Sequence, residues 1–97
     1  MAISFAMRVS VPPDVLVSEV GGESVILNLK SESYWGLDET GTRFWEAVIS
    51  SESIQAAYEK LLEEYDVDAK LLRQDLNDLI EKLVDRGLVE VGGAELA

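Results

Sequence analysis

Three short segments with the composition of β-strands precede three longer segments with the composition of helices, and this order most constrains the fold. Residues 15–20, 24–30 and 34–37 are rich in β-branched, aromatic and other apolar side chains. Gly21-Gly22 supplies the first turn, because glycine adopts positive φ without steric cost. Residues 31–33 supply the second turn. Such short connections predict an antiparallel, three-stranded meander.

The helical segments begin at capping residues and repeat apolar side chains every three or four positions. Asp38 or Thr40 is predicted to cap the first helix. Ser53 and residues 66–68 are predicted to cap the second and third, and Gly87 is placed for a left-handed C-terminal cap. The apolar stripes are Phe44, Trp45, Val48 and Ile49; Ile54, Ala57, Tyr58, Leu61, Leu62 and Tyr65; and Leu72, Leu76, Leu79, Ile80 and Leu83.

A sheet of three strands cannot bury its apolar face alone, so the three helices must pack against it. The predicted fold is therefore α+β, a three-stranded antiparallel sheet followed by three helices. The length of 97 residues predicts a single domain over residues 1–97. Further short strands are predicted before Pro12-Pro13 and at residues 88–91.

The second turn determines which side chains share a face of the sheet. A loop of three residues, 31–33, places Leu27 opposite Leu37. Leu29 then lies opposite Trp35. One face carries Val25, Leu27, Leu29, Trp35 and Leu37, and the other carries Ile26, Asn28, Lys30, Tyr34 and Gly36. This separation favours the three-residue loop over a four-residue loop, because a slip of one residue exchanges the two faces.

The composition excludes most catalytic mechanisms. The chain contains no Cys and no His, so the usual neutral-pH proton shuttle and the commonest zinc ligands are missing. The acidic clusters at residues 63–68 and 75–78 lack the spacing of a calcium loop. We therefore expect a protein that is not an enzyme and that needs no metal and no cofactor.

The charge of the chain argues against nucleic acid as a partner. Nineteen acidic and 8 basic residues give a net charge of −11, which repels a phosphate backbone. A winged-helix DNA-binding protein is the alternative, but the third helix mixes its basic side chains with acidic ones.

The absence of Cys, of a signal peptide and of a long apolar run favours a cytoplasmic protein without a membrane partner.

Residues 33–37 form an edge strand if the meander is correct. A strand paired on one side only presents free N–H and C=O groups, to which an extended peptide can add as a further strand. Trp35 and Leu37 also fit a second interpretation, as ordinary core residues beneath a covered edge. The residues alone leave both interpretations open.

Two stretches resemble the PqqD-like family, whose members are also called precursor-peptide recognition elements of ribosomally made, modified peptides. In VILNLKSESYWGLDETGTRFWEAV the matching residues are Leu37, Asp38, Thr40, Gly41, Phe44 and Trp45. In AAYEKLLEEYDVDAKLLRQDLNDLIEKLVDRGLV they are Tyr65, Val67, Asp75, Leu76, Leu79, Leu83, Gly87 and Leu88. The resemblance covers about residues 14–91, the predicted core of the domain. It is strongest to the stand-alone members of lasso-peptide biosynthesis.

The resemblance implies a winged helix-turn-helix-like domain that binds the leader segment of a precursor peptide. The leader would add antiparallel to the third strand, beside the third helix. The implied contacts are Ser33, Tyr34, Trp35, Gly36 and Leu37 of the strand and Leu72, Arg73, Asp75 and Leu76 of the helix, with Phe44, Trp45 and Leu79 in the core beneath.

The implied role is that of a non-catalytic adaptor, which presents the leader to a leader peptidase or another maturation enzyme. Alternatives are a PqqD-type chaperone of a radical SAM maturase and a scaffold that only stabilises an enzyme. A monomer or a weak dimer is expected, because an unpaired edge can also pair with its own copy.

Overall fold

The strands and helices follow one another in the predicted order in the computed structural model, which describes residues 3–92. The strands are β1 (Arg8–Ser10), β2 (Val15–Val20), β3 (Glu23–Asn28), β4 (Tyr34–Leu37) and β5 (Glu90–Gly92). The helices are α1 (Glu39–Ser50), α2 (Ile54–Glu64) and α3 (Ala69–Asp85). Within the described part of the chain, no helix has both the length and the apolar character that a membrane crossing requires.

β2, β3 and β4 form the predicted meander, paired antiparallel in that order. Together with the three helices that follow, this confirms the predicted α+β fold. β1 and β5 form a separate antiparallel ribbon, in which Val9 lies opposite Val91. The two predicted short strands therefore pair with each other and join the segment before β2 to the segment after α3.

The apolar core lies between the inner face of the meander and the helices. Phe44 and Trp45 are buried as predicted, and Leu79 is half-buried against the same core. The fully buried large side chains are Ile26, Ile54, Leu61, Leu76, Ile80, Leu83, Leu88 and Val48. Every helix thus contributes at least one side chain that is removed from water, which is the main favourable contribution to folding.

The predicted helix caps are confirmed. Side-chain oxygens accept N–H groups of the first helical turn at Asp38, Ser53 and Asp68. Gly87 ends α3 with a φ of 72°. Its N–H donates to the Val84 carbonyl, and the Leu88 N–H donates to the Leu83 carbonyl. This pair of bonds is the Schellman arrangement, which explains why a glycine stands at this position.

The register between β3 and β4 differs from the predicted register by three residues. Ile26 lies opposite Trp35, and Ser24 lies opposite Leu37. The predicted three-residue loop is therefore wrong, and the two faces of β3 are exchanged. Ile26 is 0% exposed, whereas Val25 is 47% exposed. Trp35 and Leu37 do face the core, as predicted.

Asn28 is the physical cause of this register. Its Oδ1 accepts the N–H groups of Lys30 at 2.8 Å and Ser31 at 3.0 Å. Its carbonyl accepts the N–H of Glu32, which has a φ of 63°. The chain therefore turns directly after Asn28 through a loop at residues 29–32. Asparagine commonly holds its own downstream backbone in this way, but apolar periodicity does not reveal it.

A buried pair of hydroxyl groups joins β3 to α1 beside the end of β4. Ser24 Oγ and Thr42 Oγ1 are 2.7 Å apart, and Thr42 Oγ1 lies 3.5 Å from the Leu37 carbonyl oxygen. Ser24 and Thr42 are each 4% exposed, so neither hydroxyl has ready access to water. The pair therefore fixes the start of α1 against the sheet.

Thr42→Val is expected to lower the free energy of unfolding by about 1–3 kcal/mol, because it leaves the Ser24 hydroxyl buried without its partner. Urea unfolding followed by circular dichroism measures the change. The double variant Ser24→Ala/Thr42→Val removes both hydroxyls, so its cost should be smaller than the sum of the two single costs. Additive costs would show that the two hydroxyls do not stabilise each other.

Candidate functional site

β4 lies at one edge of the meander and pairs with β3 alone among the strands that the structure describes. The Asn28 N–H donates to the Ser33 carbonyl at 2.8 Å. Because hydrogen-bonded and non-hydrogen-bonded pairs alternate in an antiparallel ladder, this bond shows which residues of β4 bond to β3. The main-chain groups of Ser33, Trp35 and Leu37 therefore point toward β3. These residues hold the strand in the sheet.

Tyr34 and Gly36 alternate with those residues, so their main-chain N–H and C=O groups point to the open side of β4. The Tyr34 side chain is 66% exposed on the outer face of the sheet. A Cβ atom added at Gly36 would meet nothing within 4 Å. The predicted edge thus presents free main-chain groups at two positions, and nothing in residues 3–92 covers them as a strand.

A groove lies between the open edge of β4 and α3, with Trp35 as its floor. The Arg86 guanidinium carbon is 4.6 Å from the centroid of the Trp35 ring, and Lys82 Nζ is 6.0 Å from it. The cavity beside this contact has a volume of about 480 Å³ and is lined by Glu32, Ser33, Tyr34, Trp35, Gly36 and Arg86. We call this feature the β4–α3 groove.

One flank of α3 reaches the β4–α3 groove. Successive helical residues are about 100° apart around the axis, which groups four residues on this flank: Asp75, Leu79, Lys82 and Arg86. Leu79 packs partly into the core, whereas Lys82 and Arg86 are exposed. This flank of α3 is therefore apolar at Leu79, which packs against the core, and cationic at Lys82 and Arg86, which lie over Trp35.

The helix residues predicted for the site occupy different positions. Leu72 and Leu76 are 3% and 0% exposed, so they support the groove from within the core and do not line it. Asp75 is exposed and shares the flank of Lys82 and Arg86.

Arg73 lies on the other flank of α3. Its guanidinium carbon is 3.9 Å from the centroid of the Phe5 ring and 5.5 Å from that of Tyr58. Its Nη1 donates to Gln55 Oε1 at 3.4 Å. The structure thus brings Arg73 to α2 and the N-terminal segment. The cations that lie beside β4 are Lys82 and Arg86. Their spacing of four residues places them on one side of a helix, and this spacing is the feature of the sequence that could have identified them.

Asn28 also ties the β3–β4 hairpin to the end of α3. Its Nδ2 donates to the Gly87 carbonyl at 2.8 Å, while its Oδ1 holds the loop. One side chain therefore shapes the turn before β4 and connects it to the helix that carries Arg86. This contact sets the spacing of the β4–α3 groove at its Ser33 end.

Asn28→Asp is expected to lower the free energy of unfolding by about 1 kcal/mol, the usual contribution of one hydrogen bond. The carboxylate can still accept from Lys30 and Ser31, but it cannot donate to Gly87. Asn28→Ala removes both functions and should cost more. Thermal unfolding measures both variants, with a shift of about 4–8 °C per kcal/mol for a domain of this size. Equal stability of Asn28→Asp and wild type would contradict a role for the Gly87 contact.

The outer face of the meander carries an exposed apolar row beside the same edge. Leu16 lies opposite Leu27, which lies opposite Tyr34. Leu16 is 55% exposed and Tyr34 is 66% exposed. Side chains of a strand alternate between the two faces of a sheet. A further strand at β4 would therefore meet apolar side chains on this face as well as Trp35 on the other.

Among residues 3–92, the two shifted pKa values belong to a contact between α1 and α2. Arg43 Nε donates to Glu64 Oε1 at 2.7 Å, and Arg43 Nη2 also contacts Glu64. This hydrogen bonding raises the pKa of Arg43 and lowers the pKa of Glu64. Because the pKa of Glu64 is lowered on folding, its stabilising effect is present above the ordinary pKa and is lost as the pH falls below it.

Within residues 3–92, no cluster of three acidic side chains is arranged to hold a metal ion.

The sequence model of the family described as coenzyme PQQ synthesis protein D (PqqD) matches residues 23–89, from β3 to just after the Gly87 cap. The fold is similar to that of TbiB1 in complex with the TbiA(beta) leader peptide. The TM-score is 0.74, with 26% identity over 84% of this chain and 94% of that chain.

It is also similar to lasso peptide synthetase B1 complexed with the leader peptide. Here the TM-score is 0.71, with 22% identity over 88% of this chain and 98% of that chain. No curated protein matches the chain significantly. The match to the family spans β4, α3 and most of the domain, and it confirms the resemblance that the motifs predict. The chain belongs to the PqqD family.

Proposed function

We propose that this chain binds the leader segment of a ribosomally made precursor peptide by adding it as a further strand to β4. The observation that carries the proposal is the pair of free main-chain positions, Tyr34 and Gly36, beside the β4–α3 groove. Membership of the PqqD family supports it. So does the similarity to TbiB1, which was solved with a leader peptide.

The ladder geometry specifies how the leader would lie. A strand antiparallel to β4 would form hydrogen-bonded pairs with Tyr34 and Gly36, and the side chains of those leader residues would lie on the outer face. The leader residue opposite Trp35 would point into the β4–α3 groove. Main-chain bonds would give affinity for any extended peptide, and the inward side chains would give specificity.

The proposed site keeps the predicted strand residues and changes the helix residues. It comprises Ser33, Tyr34, Trp35, Gly36 and Leu37 of the edge, Asp75 and Lys82 of α3 with its C-cap residue Arg86, and Leu72 and Leu76 in the core beneath. Arg73 is left out because it packs on Phe5 and Tyr58.

The proposed role is that of an adaptor without chemistry of its own. Its edge binds main-chain groups, and the proposal assigns bond cleavage or formation to a partner enzyme. The YWGLDETGTRFW motif resembles the lasso-peptide members of the family, so we propose a leader peptidase as that partner. The peptide would be held extended, as a strand added to β4.

Titration of intrinsic tryptophan fluorescence tests leader binding. The probe is a synthetic peptide with the leader sequence of the cognate precursor. We expect a saturable change at about micromolar concentration or below, which corresponds to about −8 kcal/mol or more favourable. Trp45 is 3% exposed in the core, so the change should come from Trp35. No saturable change at tens of micromolar leader would contradict the proposal.

Trp35→Phe supplies the control for this assay. The variant keeps an aromatic floor in the groove and keeps Trp45, so it should still bind a fluorescently labelled leader by anisotropy while its intrinsic signal no longer changes. A full intrinsic change in Trp35→Phe would show that the leader acts on Trp45 and not on the groove.

A further inference from the structure

Two cations face the β4–α3 groove without an acidic partner among residues 3–92. Arg86 and Lys82 lie over the Trp35 ring at 4.6 and 6.0 Å. No carboxylate of residues 3–92 lies within 4.0 Å of either side chain.

Three acidic residues of α3, Asp78, Glu81 and Asp85, line one cavity together with Lys82, but none of them lies within 4.0 Å of its ammonium group. Asp78 stands four residues before Lys82, a spacing that favours pairing on a helix. It instead accepts a hydrogen bond from Gln74 Nε2 at 3.0 Å. Arg73 and Arg43, by contrast, have hydrogen-bond acceptors in Gln55 and Glu64. Lys82 and Arg86 share the lack of an internal acceptor with Arg8, Lys30, Lys60 and Lys70 among the described residues. Their position over Trp35, beside the open edge of β4, sets them apart.

The contact between Arg86 and Trp35 leaves the hydrogen-bonding capacity of the guanidinium intact. A cation–π contact is an attraction between the guanidinium charge and the ring, and it does not require the five N–H donors to bind an acceptor. Trp35 thus holds Arg86 in place with its donors available to a ligand. A planar array of donors matches a carboxylate, which can accept two of them at once.

We propose that the guest peptide carries an acidic residue that Arg86 binds, with Lys82 adding attraction. This inference rests on the proposed function, because it assumes that an extended peptide lies along β4. The acidic residue belongs at the inward-facing position opposite Ser33. Arg86 and Ser33 line the same cavity, and the bond from Asn28 to Gly87 brings the end of α3 to that end of β4.

An acidic residue at this position would fix the register of the guest. Main-chain bonds to Tyr34 and Gly36 form equally well when the peptide slides by two residues, so they do not select one alignment. A single charge contact at one end of β4 distinguishes these alignments. Because Ser33 directly precedes β4 (Tyr34–Leu37), an antiparallel guest would place its acidic residue at the C-terminal end of its paired segment.

Selection from a displayed library of random 12-residue peptides tests the inference with no assumption about the sequence of the leader. Wild type and Arg86→Gln are used as baits, and thermal unfolding checks that both are folded. Wild type should enrich an Asp or Glu at one fixed distance after the apolar residues. Arg86→Gln should enrich the same apolar pattern without the acidic residue. Either equal acidic enrichment by both baits or none by wild type would overturn the inference and leave the proposed function intact.

A failure of the proposed function would look different in the same experiment. Wild type would then enrich no common extended pattern, or would enrich it no better than a variant whose β4 edge is blocked by Gly36→Pro. Either outcome would overturn both the strand addition and the acidic contact.

Titrations with one selected peptide and its amide analogue, Asp→Asn or Glu→Gln, measure the contact itself. Replacing the acid should weaken binding to wild type about threefold to tenfold at low salt, a range typical of a partly exposed charged pair. The same replacement should leave binding to Arg86→Gln unchanged. Glu32 lines the same cavity, so Glu32→Gln should tighten binding of the acidic peptide and not of the amide. A loss on amide replacement that is equal in wild type and Arg86→Gln would overturn the assignment.

Discussion

Gly36→Pro is expected to weaken leader binding about tenfold to a hundredfold while the domain stays folded. The Gly36 N–H points away from β3, so proline removes a donor that the guest needs and none that the meander uses. A guest carbonyl left without its donor costs about 1–3 kcal/mol, and each 1.4 kcal/mol corresponds to about tenfold in affinity. Titration of tryptophan fluorescence with the leader measures the loss.

Gly36→Ala is the matched control. It keeps the N–H, and a Cβ at this position meets nothing within 4 Å. The added methyl group lies on the outer face, so binding should stay close to wild type. If Gly36→Ala weakens binding as much as Gly36→Pro, the loss comes from the side chain, and the main-chain bond is not responsible. If both variants bind normally, the peptide does not pair with β4.

Leu76→Ala is expected to lower the free energy of unfolding by about 2–5 kcal/mol, the usual range for a leucine truncated in a core. Leu76 is 0% exposed, so its truncation leaves a cavity within the packed core. The total free energy of unfolding of a domain of this size is small, so a loss of this magnitude is a large fraction of it. The variant should therefore unfold at a much lower urea concentration than wild type.

Leu71→Ala supplies the comparison within the same helix. Leu71 is 57% exposed, so its truncation should change the free energy of unfolding by less than about 0.5 kcal/mol. The pair also tests whether Leu76 belongs to the core or to the surface of the groove. A loss of leader affinity in Leu76→Ala with unchanged stability would show that Leu76 lines the groove directly.

The order of the elements and their ends could be predicted from the sequence because both are local properties. Asp38, Ser53 and Asp68 start their helices through bonds to their own first turns, and Gly87 ends α3 through its own backbone conformation. The register of β3 against β4 could not be predicted from apolar periodicity. It depends on where the chain turns, and Asn28 decides that through its side-chain amide.

The open edge could be predicted from the meander, but the helix side of the groove could not. The buried stripe of α3 leaves two flanks, and each of them carries arginine. Only tertiary packing decides that Arg73 meets Phe5 while Arg86 meets Trp35. The bond between Asn28 and Gly87 contributes to that choice, and it joins residues that are far apart in the sequence.

Amide hydrogen exchange in the free and leader-saturated chain tests strand addition to β4 most directly. The Tyr34 and Gly36 N–H groups face the open side, so they should exchange readily in the free chain and much more slowly when the leader is bound. Trp35 and Leu37 already bond to β3, so their exchange should change far less. Saturated leader binding with unchanged exchange at Tyr34 and Gly36 would contradict strand addition.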